Sequence, residues 1–201
     1  MHSCAIACII AAACSAAATA ASADVRVRVA NAGYNISGTT GAALLEAMDR
    51  KGPKHGFLTR AIAQTRYDIK WDIDWKSTGG GCRVGSVGAA LDITYTYPHI
   101  ANRVPAALDR RWASFMKGVR KHEENHGAIA QRMVKAAERA VTGISARNDP
   151  GCNKSKTLAK RRIKAIYAEY EAMQARFDER EHRTGGPVEH LVDRLVGDRR
   201  G

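Results

Sequence analysis

Aromatic residues are scarce in this chain. They make up 6% of its 201 residues, beside an ordinary apolar fraction of 45%. No dense run of Lys and Arg with interleaved aromatic residues occurs, which argues against a dedicated nucleic-acid site. No internal repeat or low-complexity linker is visible, which argues against a repeat architecture. The chain is long enough for one domain with a hydrophobic core of its own.

Charged side chains are absent from residues 1–23, which contain no Lys, Arg, Asp or Glu. The apolar stretch over residues 6–13 is too short to span a bilayer, and the Ala-Ser-Ala that ends at residue 23 fits a signal-peptide cleavage site. We therefore predict a signal peptide over residues 1–23 and an exported protein, periplasmic or secreted, with no transmembrane anchor after processing. The alternatives are a buried Ala-rich helix and a lipid anchor at Cys14, which ranks second because its flanking residues fit a lipoprotein box only loosely.

Cysteine is sparse beyond this leader, where Cys82 and Cys152 are the two that remain. An even pair in an oxidising compartment predicts one disulfide. The bond would close a loop of about 70 residues and contribute roughly 4 kcal/mol in the chain-entropy account of disulfide stabilisation. The alternative is a pair of unrelated thiols.

Positive charge is abundant, because the formal net charge is +12 at pH 7. Such a charge favours anionic surfaces, among them membrane headgroups and cell-wall polymers. We therefore expect a basic surface that contacts anionic components of the cell envelope. Plain solubility is the alternative.

Apolar periodicity divides the chain near residue 104. Upstream, alternation with period two predicts strands that begin at Val25, Tyr67 and Cys82, the last two forming an antiparallel hairpin about a Gly-rich turn. Residues 40–50 have the spacing of a short helix. The prediction for residues 24–103 is an antiparallel sheet with one short helix.

Downstream, over residues 104–201, the apolar spacing is helical. It predicts a helix from Pro105 to about residue 141, a second over residues 156–181, a short one over residues 188–196 and a basic tail. The predicted fold class is α+β, a single zincin-like domain over residues 24–201 in which the sheet is followed by a pair of long helices.

The first long helix carries His-Glu-Glu-Asn-His at residues 122–126, an instance of HExxH. Residues four apart share one face of a helix, so His122 and His126 can direct imidazole nitrogens at one zinc ion. Glu123 is then beside the attacking water as the general base, and Glu124 faces solvent. The alternative is a helical face on which His and Glu form solvated ion pairs.

A catalytic zinc ion takes three protein ligands and a water molecule. The extended motif HExxHxxGxxH is absent, because Ile129 and Arg132 stand where its Gly and third His belong. If the two long helices pack antiparallel, the end of the second meets the motif. We prefer His182 as the third ligand, since imidazole suits zinc, with Glu171 and Asp178 as alternatives.

Several further segments accompany HEENHG: Tyr34-Asn35-Ile36-Ser37-Gly38, the aromatic strand ending at Trp75, Ile93-Thr94-Tyr95-Thr96-Tyr97-Pro98, Trp112, Phe115, the two cysteines and Phe177-Asp178. In this combination the chain resembles a bacterial family of predicted secreted Zn-dependent proteases, known as domain of unknown function 922. The resemblance covers most of the chain after the leader. It implies zinc ligation by His122 and His126 and catalysis by Glu123. Members tend to have Tyr-Asp followed by Thr-x-His-Gly, whereas here Phe177 replaces the Tyr, the Thr is missing and Arg183 follows His182.

The leading hypothesis is a zinc-dependent peptidase of the envelope or the medium, whose substrate is a protein or peptide, cell-wall peptide included. The alternative is a non-catalytic envelope protein with a structural or degenerate metal site and a basic binding surface. Coordination geometry separates the two hypotheses, because a catalytic site keeps one position open and a structural site is closed by four protein ligands.

Overall fold

The computed structural model describes residues 25–55 and 59–197. The predicted signal peptide, Cys14 and the end of the basic tail lie outside these residues. The elements, in chain order, are β1 (Val25–Ile36), α1 (Gly41–Lys51), β2 (Lys54–His55), β3 (Thr59–Arg60), β4 (Gln64–Thr78), β5 (Gly81–Ile100), α2 (Ala106–Val141), β6 (Ser145–Ala146), α3 (Asn153–His182) and α4 (Pro187–Val196). The α+β class, the short helix and the two long helices are confirmed, and the single-domain assignment stays a prediction.

β5 is the central strand of a four-stranded sheet, with β1 on one side and β4 on the other, and β6 pairs with its start. β4 and β5 form the predicted antiparallel hairpin. β1, however, runs parallel to β5, with Val25 opposite Ala89. The prediction of a purely antiparallel sheet is therefore wrong. Parallel pairing requires a crossover connection. The segment that contains α1 joins the end of β1 to the start of β4, and β4 then carries the chain back along the sheet to the start of β5.

The buried face of the sheet comes from alternate residues of β5, which include Leu91, Ile93 and Tyr97, as their spacing predicts. Apolar side chains of α1, α2 and α4 pack onto this face, namely Leu44, Met48, Leu108, Phe115, Val119, Val134 and Leu195. Burying one such side chain fully contributes about 1.5–3 kcal/mol. This packing fixes α2, and with it the HEENH segment, against the sheet.

β1 is less buried than its alternation predicts. Val27 and Val29 are 38% and 54% exposed, and burial along the strand is confined mainly to its end at Tyr34 and Ile36. The period-two pattern identified the strand correctly but not the side that is covered.

α2 packs tightly against β5 at Gly127, the residue after HEENH. A Cβ built at this position would overlap the hydroxyl of Tyr95, so the packing requires glycine. Further along, Cys82 and Cys152 form the predicted disulfide, with Cα atoms 5.2 Å apart. This bond joins the start of β5 to the start of α3, and disulfides are typical of extracytoplasmic proteins. Among the described residues, no helix is long and apolar enough to cross a membrane.

Candidate metal centre

α2 directs His122 and His126 toward α3, and their side chains are only 10% and 14% exposed. Their Nε2 atoms lie 3.2 Å apart. A separation of four residues places the two rings on the same face of the helix, one turn apart. The two imidazoles therefore present their Nε2 atoms at a single point between α2 and α3.

Asp178 of α3 reaches the same point. Its Oδ1 atom lies 2.8 Å from Nε2 of His126 and 3.4 Å from Nε2 of His122. Zinc with bonds of about 2.0–2.1 Å in tetrahedral geometry holds its ligand atoms about 3.3 Å apart. Two edges of this triangle are close to that separation and the third, between His126 and Asp178, is shorter, so a small outward movement of Asp178 would let one ion contact all three atoms.

His182, the last residue of α3, stands beside this triangle. His122, Asp178 and His182 each offer a ligand atom, and these atoms lie within 4.8 Å of one another. The ring of His182 meets that of His122 edge to face, with centroids 5.2 Å apart. Glu171 is exposed and is not part of this group. Of the three candidates for the third ligand, the structure thus brings His182 and Asp178 to the two histidines of α2.

Gln174 of α3 connects His126 to the second helix by two hydrogen bonds. Its Oε1 atom lies 2.6 Å from Nδ1 of His126, and its amide nitrogen donates to the backbone oxygen of the same residue over 3.1 Å. Because Oε1 can only accept, Nδ1 carries a proton, and in the neutral ring Nε2 is the nitrogen with the lone pair. This is the tautomer that a metal ion requires at Nε2.

Glu123 is buried, with 6% of its surface exposed, whereas Glu124 is exposed. The hydroxyl of Thr65, near the start of β4, donates to Oε2 of Glu123 over 2.6 Å and lies 3.1 Å from its backbone oxygen. Glu123, His122, His126, Asp178 and His182 line one cavity of about 740 Å³. Helix phase thus separates the two neighbouring glutamates, with one in the cavity and the other in solvent.

Ionisation in this cluster follows from its contacts. Burial lowers the pKa of His126, but hydrogen bonds with Asp178 and Gln174 outweigh burial, and the net shift is upward. Burial raises the pKa of Asp178, yet hydrogen bonds from His122 and His126 hold it well below its usual range. Burial and the charge of His122 lower the pKa of His182. In the metal-free protein the cluster therefore favours an ionised Asp178 beside a protonated His126, and a divalent cation would take the place of that proton.

The second ring nitrogen of His122 supports the same fit. Nδ1 is buried and has no hydrogen-bond partner within the described part of the chain, and the nearest carboxylate oxygen, on Glu181, is 4.0 Å away. A ligating histidine usually directs its other nitrogen at a carboxylate or carbonyl. Glu181 is therefore placed to take this role after a small movement.

A family model described as "Bacterial protein of unknown function (DUF922)" matches residues 32–186. The chain belongs to this family. The DUF922 match begins in β1 and ends after α3, so it includes the whole candidate metal centre and both cysteines of the disulfide, and it confirms the resemblance seen in the sequence. No curated protein and no solved structure matches the chain.

Thr65 and Gln174 carry no motif in the sequence. Gln174 does have a spacing signal, since it precedes Asp178 by four residues and His182 by eight. Residues at this interval lie on one face of a helix, so α3 presents a polar stripe opposite HEENH. Thr65 has no such signal, because its position depends on how β4 packs against α2.

Proposed function

We propose that the protein is an exported zinc-dependent peptidase of zincin-like architecture, in which His122, His126 and Asp178 bind the metal and Glu123 is the general base. The observation that carries the proposal is the triangle of Nε2, Nε2 and Oδ1 atoms, whose edges of 2.8–3.4 Å are close to those that one zinc ion needs. The HExxH motif supplies two of these atoms and the neighbouring base.

The roles of the protein groups follow from their positions. Zinc, when bound, polarises a substrate carbonyl and lowers the pKa of water toward neutrality. Glu123 accepts a proton from the attacking water and later delivers it to the leaving amine. The hydroxyl of Thr65 holds one oxygen of this carboxylate, and Gln174 holds the ring of His126. The cavity of about 740 Å³ falls in the usual range for ligand sites.

A second candidate function is a structural metal site in a non-catalytic envelope protein. The proximity of His182 to His122 and Asp178 favours it. Together with His126 these residues amount to four protein ligands, the number typical of closed structural sites. His182 is exposed and terminal on α3, so it is also free to remain outside the coordination sphere.

Metal analysis tests the shared premise. The purified wild-type protein should hold about one zinc ion per chain, and a His122→Ala/His126→Ala double variant should hold none, because both lost imidazoles are ligands. Equal zinc content in the two proteins would contradict both candidate functions.

Two matched glutamate variants then separate catalysis from structure. Glu123→Gln should retain zinc and lose roughly a hundredfold to ten-thousandfold of peptide hydrolysis, the usual contribution of a general base. Glu124→Gln, the neighbouring exposed residue, should hydrolyse like the wild type. If a zinc-loaded wild type and both variants show the same rate, the structural candidate replaces the peptidase.

Export belongs to the proposal and rests on the uncharged leader and the disulfide. Mass spectrometry of the protein recovered from a bacterial periplasm should give a chain that begins at Asp24. A lipid-modified chain that begins at Cys14 would support the lipid anchor instead.

A further inference from the structure

A second cavity, of about 810 Å³, lies between α2, α3 and α4 beside the metal centre. Five cationic side chains line it, namely Lys121, Arg132, Arg176, Arg180 and Arg194, together with the single carboxylate of Glu181. We call this cavity the basic groove. Its floor is apolar and includes Ile129, Met173 and Leu191. An apolar floor with charged edges is the lining typical of a ligand-binding site.

The cations of the basic groove are poorly neutralised. Within residues 25–55 and 59–197, Arg180 is the one member with a carboxylate within 4.0 Å, that of Glu181. All five cationic side chains are exposed. The cavity of the metal centre differs in charge, since Asp49, Glu123, Asp178 and Glu179 line it beside one guanidinium, that of Arg60, and three imidazoles. The two adjoining cavities therefore attract different parts of a ligand.

The basic groove is continuous with the metal centre, because His122, Val188 and Leu191 line both cavities. Along α2 it extends from His122 to Arg132, a rise of about 15 Å for ten helical residues. An extended peptide advances about 3.3 Å per residue. The groove can therefore hold about four residues on one side of a bond that lies at the metal centre.

We propose that the basic groove binds an acidic segment, about four residues long, of the peptide substrate that the metal centre cleaves. This assignment of substrate class rests on the proposed peptidase function. Guanidinium groups bind carboxylates through paired hydrogen bonds, and the groove offers four of them around an apolar floor. Aspartate and glutamate side chains next to an apolar residue match this arrangement.

Calorimetry on the zinc-loaded Glu123→Gln variant tests the proposal without turnover. The probe is an unlabelled octapeptide with Asp and Glu at four consecutive positions, beside its isostere with Asn and Gln there. The acidic peptide should bind at least about tenfold more tightly, and the difference should shrink as salt is raised, because exposed ion pairs are individually weak and screened. Equal affinities would overturn the proposal.

Charge-matched triple variants locate the binding surface. The groove variant, Arg132→Gln/Arg176→Gln/Arg194→Gln, removes three cations of the basic groove. The control variant, Lys156→Gln/Lys160→Gln/Arg161→Gln, removes three exposed cations from the N-terminal half of α3, away from the groove. The first should weaken the acidic peptide about tenfold, and the second should change its affinity little. Equal losses would mean that net charge alone attracts the peptide, which would overturn the proposal.

Two further measurements complete the test. Preference for the acidic peptide should persist in chelator, since the groove cations do not belong to the metal centre. If the zinc-loaded wild type does not hydrolyse the acidic peptide but still binds it preferentially, the peptidase function is refuted and the groove remains a peptide-binding surface. A single-stranded oligonucleotide of equal charge should compete weakly, and competition as strong as that of the acidic peptide would overturn the assignment to peptides.

Discussion

Gln174 gives the sharpest test of the metal centre, because it contacts a proposed ligand without being one itself. It makes two hydrogen bonds to His126, one to the ring and one to the backbone oxygen. A typical hydrogen bond contributes about 1 kcal/mol net. Gln174→Ala should therefore remove about 2 kcal/mol of the free energy that holds His126 in its ligating orientation. This converts to about a thirtyfold rise in the zinc dissociation constant. The figure lies within the tenfold to hundredfold loss usual when a partner of a ligating histidine is removed.

The assay is competition for zinc against a chromophoric chelator at fixed pH, with wild type, Gln174→Ala and Gln174→Glu compared. The glutamate variant keeps an acceptor for Nδ1 of His126 and should recover most of the lost affinity. Gln131→Ala is the matched control, since Gln131 is a half-buried glutamine of α2 outside the metal centre. An unchanged zinc affinity in Gln174→Ala, with the fold intact by circular dichroism, would refute the role of Nε2 of His126 as a ligand.

Three other predictions concern stability and pH. Reduction of the disulfide should lower the free energy of unfolding by about 4 kcal/mol, given the 70-residue separation of its cysteines, as urea titration with and without reductant can measure. Because the pKa of His126 is raised and that of Asp178 is lowered, their ion pair should stabilise the metal-free protein between about pH 4 and 6.5. That contribution should be lost as the pH rises through the pKa of His126, where zinc binding strengthens instead; melting curves in chelator and in zinc should show the two opposite trends. Gly127→Ala should cost about 1–3 kcal/mol through overpacking against the hydroxyl of Tyr95, and adding Tyr95→Phe should return part of the loss in thermal melts.

The hairpin and the long helices could be predicted because their signals are local. Alternation over β4 and β5 defines both a strand and its buried face, and their Gly-rich turn leaves antiparallel pairing as the simple outcome. The direction of β1 is a different kind of property. It depends on how the chain returns after α1, and no side-chain pattern within β1 distinguishes parallel from antiparallel pairing. The same limit explains the exposed Val27 and Val29, since alternation does not say which strand is covered by a helix.

The candidate site divides along the same line. His122, Glu123 and His126 are fixed by spacing within one helix, so the sequence alone places them together. The third ligand depends on the register between α2 and α3. This register is set by the contacts of His126 with Gln174 and of His122 with Asp178. Each turn of α3 offers one polar residue to this face, at positions 174, 178 and 182. A register error of one turn would exchange their roles, which is why an antiparallel estimate from turn position could name both Asp178 and His182, and the preference for His182 stays a prediction.

The arrangement of α3 also bears on whether the site is open. Asp178 contacts both imidazoles, whereas His182 lies four residues further, about 6 Å along the helix axis, and its ring contacts that of His122. A ligand that must reach across from the final residue of a helix, next to the turn that leads into α4, can enter or leave the coordination sphere with little disturbance of the core. His182→Ala should therefore retain nearly full zinc affinity if the centre is catalytic, because His122, His126 and Asp178 suffice for three-ligand binding. A loss comparable to that of Asp178→Ala, measured by the same chelator competition, would instead indicate a closed four-ligand site and would favour the structural function.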